Sequence, residues 1–230
     1  MKQGLVLDNV VLLGRTLDEY ARYFALDLDA LRGRRILDVA AGVSSFCAEA
    51  HERGLDVTAF DLIYDWLPDD IAARCGPDLD HVIRAIDGLK TYKWDFYQNP
   101  TRLRTLRERA YRTFLSDFAN HRGTRYQSGR LPHLPFADKL FDLTLVSYLL
   151  FAYEDQLDYE FHKESLLELM RVTRGEARLY PIVTFEAKRC VHVDRLRADP
   201  ALGHLRFEEV QTDFEFLVGS NWFLRVTRAG

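Results

Sequence analysis

Two carboxylates and a small-residue turn are the groups of this chain best suited to holding a ligand. The stretch Ile36 to Phe46 reads ILDVAAGVSSF: a short apolar run carrying Asp38, then Ala40, Ala41 and Gly42, then Ser44 and Ser45. A second apolar run, Val57 to Phe60, ends on Asp61, 23 residues after Asp38. Short apolar runs of this kind suit strands covered on both faces of a parallel sheet. In such sheets ligands sit outside the carboxyl ends of the strands, where loops lead into helix N-termini with free N–H groups. Residues 40 to 45 belong at that place. A dinucleotide fingerprint would need glycine where this chain has Ala40, Gly42 and Ser45. A pyrophosphate could not approach Ala40 or Ser45 as closely, so a nicotinamide dinucleotide is disfavoured. Ser44 and Ser45 are expected as helix N-caps.

The elements that must position these groups are legible in part. The capping box Thr16-Leu17-Asp18-Glu19, with Leu17, Tyr20, Ala21 and Phe24 at helical spacing, predicts a helix over about 17–26. Phe46, Cys47 and Ala50 form the inner face of a helix that Gly54 stops. Residues 63–124 then interrupt the alternation of strands and helices, with helical periodicity and no strand. They are read as a helical insertion serving as lid and acceptor pocket. Within it Asn99-Pro100 supplies an N-cap and an N1 proline, and Leu103, Leu106, Ala110, Phe114 and Phe118 share one helical face. Further strands are expected at Arg125 to Leu131, Phe141 to Tyr148 and Arg178 to Phe185, with Pro181 confining the last to its first half. Between them a helix over 156–174 is expected to end at Gly175. Phe207 to Val218 and Trp222 to Thr227 flank Gly219-Ser220-Asn221 and read as a closing hairpin.

With 230 residues and 47% hydrophobic content the chain suits one generous domain, 1–230. A formal net charge of −4 gives no global basic field for nucleic acid. The N-terminal apolar run is broken by Asp8 and Asn9, and no run reaches the roughly 18 to 20 residues that span a bilayer. A cytoplasmic location and no membrane partner are therefore expected. Cys47, Cys75 and Cys190 lack paired spacing and are read as reduced thiols in or near the core, with no metal site.

The turn and its surroundings resemble class I S-adenosylmethionine-dependent methyltransferases. Leu37-Asp38-Val39-Ala40-Ala41-Gly42-Val43-Ser44 corresponds to their first motif, L-D-x-G-x-G-x-G, with the middle glycine kept and small residues at the outer two. Asp61 stands where the family's second strand ends in an acidic residue that grips the ribose hydroxyls. Leu134-Pro135-Phe136-Ala137-Asp138-Lys139-Leu140-Phe141-Asp142-Leu143 resembles the L-P-F-x-D-x-x-F-D-L segment before the fourth strand. Glu168 to Gly175 resembles the helix and turn before the fifth. The whole chain is also similar to uncharacterised bacterial methyltransferase-like proteins.

The resemblance implies an α/β fold: a Rossmann-like, seven-stranded, mostly parallel sheet with a reversed last strand and the helical insertion after the second strand. It implies S-adenosyl-L-methionine as cofactor and methyl transfer to an acceptor, a small molecule or RNA. Implied cofactor contacts are Asp38, Ala40, Gly42, Ser44, Asp61, Leu62, Arg130, Leu131 and Ser147. Arg130 falls where members often carry an acidic residue on the adenine amino group, and an arginine offers no acceptor there. On the acceptor side Tyr148, Tyr153 and Asp155 are the catalytic candidates, and His162 is read as a surface residue. Arg102, Arg104, Arg107, Arg109, Arg112, Arg122, Arg125 and Arg130 make the insertion basic. They read either as a solvated face or, with Tyr92, Trp94 and Tyr97, as a footprint for an anionic acceptor. Two rival readings stand beside methyl transfer: aminopropyl transfer on the same fold, and a catalytically degenerate methyltransferase-like binding protein.

Overall fold

The structure is a computed structural model, and residues 11–229 are described. The N-terminal segment with Asp8 and Asn9 lies outside them. Helix α1 (Leu17–Tyr23) starts on the anticipated capping box: Thr16 Oγ1 accepts from the Glu19 amide, and the Glu19 carboxylate accepts from the Thr16 amide. Strand β1 (Arg35–Val39), helix α2 (Phe46–Glu52) and strand β2 (Asp56–Asp61) follow. Gly54, at φ +75°, lies just beyond the C-cap of α2 in the left-handed region that favours glycine.

A short 3₁₀ turn (Leu62–Asp65) leads into two long helices, α3 (Pro68–Ile86) and α4 (Pro100–His121). Asn99 caps α4 by accepting from the Arg102 amide. Leu103, Arg107, Ala110, Phe114 and Phe118 form the buried face of α4. The chain then returns through β3 (Tyr126–Ser128), β4 (Phe141–Ser147), α5 (Tyr159–Val172), β5 (Thr173–Tyr180), α6 (Val191–Ala198), β6 (Leu205–Gln211) and β7 (Trp222–Arg228).

The seven strands form one sheet in the order β3-β2-β1-β4-β5-β7-β6. Strands β1 to β5 pair in parallel, whereas β7 runs antiparallel to both β5 and β6. Both faces are covered: Ile36 packs with α1, α2 and the long helices, and Leu37 and Val39 pack with α5 and α6. Alternate side chains of one strand thus feed two apolar cores, which is why β1 and β4 read as near-continuous hydrophobic runs. Cys47, Cys75 and Cys190 are free thiols buried in these cores. Among the described residues no helix is long and apolar enough to cross a membrane.

Some expectations are corrected. Gly175 does not end a helix; it lies inside β5, which starts directly after α5. A Cβ at Gly175 would stand 2.3 Å from the Asp142 carbonyl oxygen, beside a register irregularity between Phe141 and Leu143, so close approach of two strands requires the glycine. Strand β5 accordingly begins five residues earlier than Arg178 and stops at Tyr180, immediately before Pro181. The closing strands pair as expected, yet ten residues, 212–221, connect them, and β6 already ends at Gln211. The apolar Phe214, Phe216 and Leu217 of that connection dive into the core and do not extend the strand. Helix α6, between β5 and β6, had no counterpart in the sequence reading.

Candidate functional site

The strand order reverses between β1 and β4, and the carboxyl ends of β1, β2 and β4 open there into a cavity of about 460 Å³. Topological switch points of open α/β sheets are where ligands bind, and the volume lies within the roughly 300–1,000 Å³ of small-molecule sites. Val39 to Gly42, Phe60 to Ile63, Gly129 to Leu131 and Ser147 to Leu149 supply its walls, one group from each strand end. Residues 11–13 and Arg15, with Trp66, Arg74, Tyr153, Phe161 and Phe185, complete the lining.

The turn after β1 is held by hydrogen bonds on both sides of Gly42. Gly42 sits at φ +55°, donates its amide to Asp61 Oδ2 at 2.8 Å and accepts from the Tyr64 hydroxyl at 2.9 Å. The space that a Cβ would take at Gly42 is open for 4 Å, so a ligand can approach the bare backbone. Ala40 also adopts a positive φ, +57°, at a position where glycine would be unstrained. Asp61 Oδ1 meanwhile accepts from the Ile63 amide at 3.0 Å. Each carboxylate oxygen retains a second lone pair. Burial pushes the Asp61 carboxyl up from its ordinary range, against the pull of the Ile63, Gly42 and Leu62 amides.

Of the residues implied as cofactor contacts, Ala40, Gly42, Asp61, Leu62, Arg130, Leu131 and Ser147 line the cavity. Asp38 and Ser44 do not. Asp38 is fully buried behind the turn, where Oδ1 accepts from the Tyr20 hydroxyl at 3.1 Å and Oδ2 has no hydrogen-bond partner. Burial above all pushes its carboxyl well up. Ser44 Oγ accepts from the Arg15 amide at 3.2 Å. Ser45 holds the N-cap position of α2, but its hydroxyl makes no cap and donates to Glu49 Oε1 instead. Leu62 is 49% exposed at the rim, and the Arg130 side chain is also exposed. Ser147 Oγ is buried without a partner.

Tyr148 and Tyr153 reach the cavity, whereas Asp155 is exposed and does not line it. Tyr148 has φ +53°, a strained conformation for an aromatic residue, and its amide donates to the Tyr180 carbonyl at 2.7 Å. Burial raises both phenols above their ordinary value, so both stay protonated at neutral pH. They can orient a ligand but not take its proton. His162 is not a surface residue: its side of α5 faces the core, where Nδ1 and Nε2 each lie 2.7 Å from a backbone carbonyl, those of Asp158 and Leu150.

The arginines between β2 and β3 are largely committed within the fold. Arg104 pairs with Asp80, Arg107 with Glu19 and Arg125 with Asp117; Arg122 donates to the Tyr64 and Asp65 carbonyls, and Arg102 to Gln98. Tyr92 and Tyr97 are buried, and Trp94 packs edge-on against Phe216.

Sequence reasoning missed Arg15, Gly129, Trp66, Phe161 and Phe185 as wall residues. Gly129 carried a usable signal, a Ser-Gly pair ending a strand. Its φ is +154°, and a Cβ there would meet the Phe60 ring at 2.5 Å, so only glycine lets this loop cross the end of β2. Arg15 carried none, since Tyr148, over whose ring its guanidinium lies, is 133 positions away.

No model of a known protein family matches the chain. The chain is similar in outline to magnesium protoporphyrin IX methyltransferase of Synechocystis, solved with bound S-adenosylmethionine. That likeness has a TM-score of 0.48 and 11% identity, over 93% of this chain and 78% of that one. It is similar also to a TehB-like S-adenosylmethionine-dependent methyltransferase of Corynebacterium glutamicum, with a TM-score of 0.46 and 19% identity over 88% and 85%. In sequence it is 36% identical over 226 residues to the uncharacterised protein MJ0045 of the archaeon Methanocaldococcus jannaschii, covering 97% of this chain and 99% of that protein. The strand order and the reversed β7 are those of the class I S-adenosylmethionine-dependent methyltransferase fold, and by sequence the chain belongs to the family of MJ0045.

Proposed function

We propose that the protein is an S-adenosylmethionine-dependent methyltransferase acting on a small molecule. The observation that carries this reading is the pairing of Asp61 with Gly42 at the rim of the cavity, a carboxylate beside open backbone at adjacent strand ends. The residues fit the cofactor's chemistry. The second lone pairs of Asp61 would accept the two ribose hydroxyls, as charge-assisted bonds. Leu62 and Ile63 on one side, and Gly129 to Leu131 on the other, would sandwich the adenine. Gly42 and Ala40 would border the methionine portion, and the partnerless Ser147 hydroxyl would face the transfer site. Asp38 would act from behind, through its bond to the Tyr20 hydroxyl.

When bound, S-adenosylmethionine supplies a methyl carbon on a sulfonium sulfur, which an acceptor lone pair takes as the carbon–sulfur bond breaks and its electron pair stays on sulfur. The protein's part is to position and to exclude water. Apart from Asp61, assigned to the ribose, no carboxylate or histidine lines the cavity among the described residues, and Tyr148 and Tyr153 hold their protons. Such a site suits an acceptor that is already a nucleophile at neutral pH. A small acceptor is favoured over RNA because Arg104, Arg107 and Arg125 of the basic segment are paired within the fold. The helices α3 and α4 serve as the cover of the acceptor side, within one domain spanning the chain. Calorimetric titration with S-adenosylmethionine and S-adenosylhomocysteine tests the cofactor. Labelled methyl transfer into fractionated cell extract tests the reaction. Cofactor binding without any transfer would favour the degenerate binding protein, and no binding by a folded chain would sink the enzymatic reading.

A further inference from the structure

Beside the main cavity lies a second, smaller one of about 50 Å³, and the two share Leu13, Arg15, Tyr148 and Phe185. Its far wall is apolar: Leu79, Val82, Ile83 and Ile86 of α3, Leu103 of α4, and Phe216 and Leu217 from the β6–β7 connection. Where about 10–15 Å³ admits one water-sized atom, it has room for a group of three or four heavy atoms.

The partition between the cavities carries a cation. Arg15 places its guanidinium 4.1 Å from the centre of the Tyr148 ring, and its Nη1 donates to the Leu13 carbonyl at 3.1 Å. Its Nε is sealed from solvent and has no hydrogen-bond partner. A buried donor on a charged group without an acceptor is costly, and a carboxylate is the group that meets guanidinium geometry best. The other cations nearby are occupied or outside: Arg107, which also borders the small cavity, is bonded to Glu19 and Tyr97, Arg74 is paired with Asp78, and Arg130 is exposed.

We infer that the acceptor is a small carboxylic acid with a short branched apolar end, its carboxylate held by Arg15 and its apolar end in the side pocket. The inference rests on the methyltransferase reading for the word acceptor, but the anion pocket itself does not depend on it. One carboxylate oxygen, ionised at neutral pH, takes the methyl as an ester while the carbon–sulfur bond breaks and its electron pair stays on sulfur, so no proton has to be removed by a wall that offers no base, and an ammonium acceptor would be repelled by Arg15.

The test uses the full chain saturated with S-adenosylhomocysteine, with isovalerate as probe and isovaleramide and acetate as controls. Isovalerate should raise the thermal midpoint and titrate calorimetrically, and each control should bind at least about tenfold more weakly. Arg15→Met should abolish isovalerate binding and leave S-adenosylhomocysteine affinity within about threefold, and Ile83→Phe should weaken isovalerate but not acetate. Equal binding of acid and amide would overturn the inference. So would a loss of more than about tenfold in S-adenosylhomocysteine affinity in Arg15→Met, since Arg15 would then serve the cofactor. If S-adenosylhomocysteine fails to bind the wild type, the methyltransferase reading falls; isovalerate titrated alone against wild type and Arg15→Met then decides the pocket.

Discussion

Replacing Arg107 by methionine should expose how the wall of the acceptor side is held in place. Arg107 of α4 and Glu19 of α1 are 5% and 0% exposed and meet at 2.6 Å. The Glu19 carboxylate also accepts from Tyr97, from Tyr23 at 3.1 Å, and from the Thr16 amide and hydroxyl at 2.8 and 3.0 Å. The cluster thereby ties the start of α1, directly after Arg15, to the helices over the cavity. Methionine keeps much of the volume and removes the charge, leaving a buried carboxylate without a counterion. Breaking one side of a buried pair costs roughly 3–5 kcal/mol, and the donors that remain on Glu19 favour the lower end, about 3 kcal/mol. That is a large share of the roughly 5–15 kcal/mol of a typical domain.

The pH dependence should change sign with it. In the wild type, burial pushes Glu19 up, but the charge of Arg107 and the bonds from Tyr97 and Thr16 outweigh it, so its pKa lies below the ordinary value. A depressed carboxyl contributes stability above its unfolded pKa and loses it as pH falls through the folded value. Without Arg107 burial should dominate, the folded pKa should lie above the unfolded one, and stability should be lost as pH rises. The gap between wild type and variant should therefore be wider near about pH 7 than near about pH 5 in urea unfolding. Adding Glu19→Gln to the variant should restore part of the loss. A deficit under about 1 kcal/mol at neutral pH, or a gap that widens on acidification, would refute the account.

Other expectations are simpler to state. Asp61→Ala should weaken S-adenosylhomocysteine about a hundredfold, from two charge-assisted bonds at about 1.5 kcal/mol each, and a calorimetric change under about threefold would rule out the ribose assignment. Gly42→Ala should cost about 1–2 kcal/mol of stability from its φ of +55°, read as a lowered urea midpoint, and should weaken cofactor binding as well by filling the open face. Asp38 is raised in the folded state, chiefly by burial, so its contribution is present below the unfolded carboxyl pKa and lost as pH rises. Asp38→Asn should accordingly be at least as stable as the wild type at neutral pH, with a flatter thermal midpoint between about pH 5 and 8. Gly175→Ala should lose at least about 2 kcal/mol in urea unfolding, because the added methyl meets the Asp142 carbonyl of the neighbouring strand.

Local chemistry accounts for what could be read in advance. The Thr16–Glu19 box, the Asn99-Pro100 start of α4 and the glycine that stops α2 act over a few residues, so composition at those positions suffices to place a helix end. Strands buried on both faces announce themselves as apolar runs, and Ile36 to Ala40, Val57 to Phe60 and Phe141 to Tyr148 all gave strands of the sheet, the first and last ending one residue earlier, at Val39 and Ser147. Gly175 shows the limit of that reading. Its role depends on a carbonyl from β4, and a glycine needed for approach looks the same in sequence as one that ends a helix.

The sequence by itself determined most of the alternation of elements and the closing antiparallel pair, because hydrophobic period and turn chemistry are properties of neighbours along the chain, while the reversed final strand and the choice of Gly42 and Asp61 came with the family resemblance. Only the tertiary structure decided that Asp38 lies behind the turn, that Asp155 and most of the arginines stay out of the cavity, and that Arg15 stands over Tyr148 beside an apolar pocket. Those outcomes depend on which side chains from distant segments compete for the same buried volume and the same hydrogen-bond partners, and that competition exists only once the chain has closed on itself.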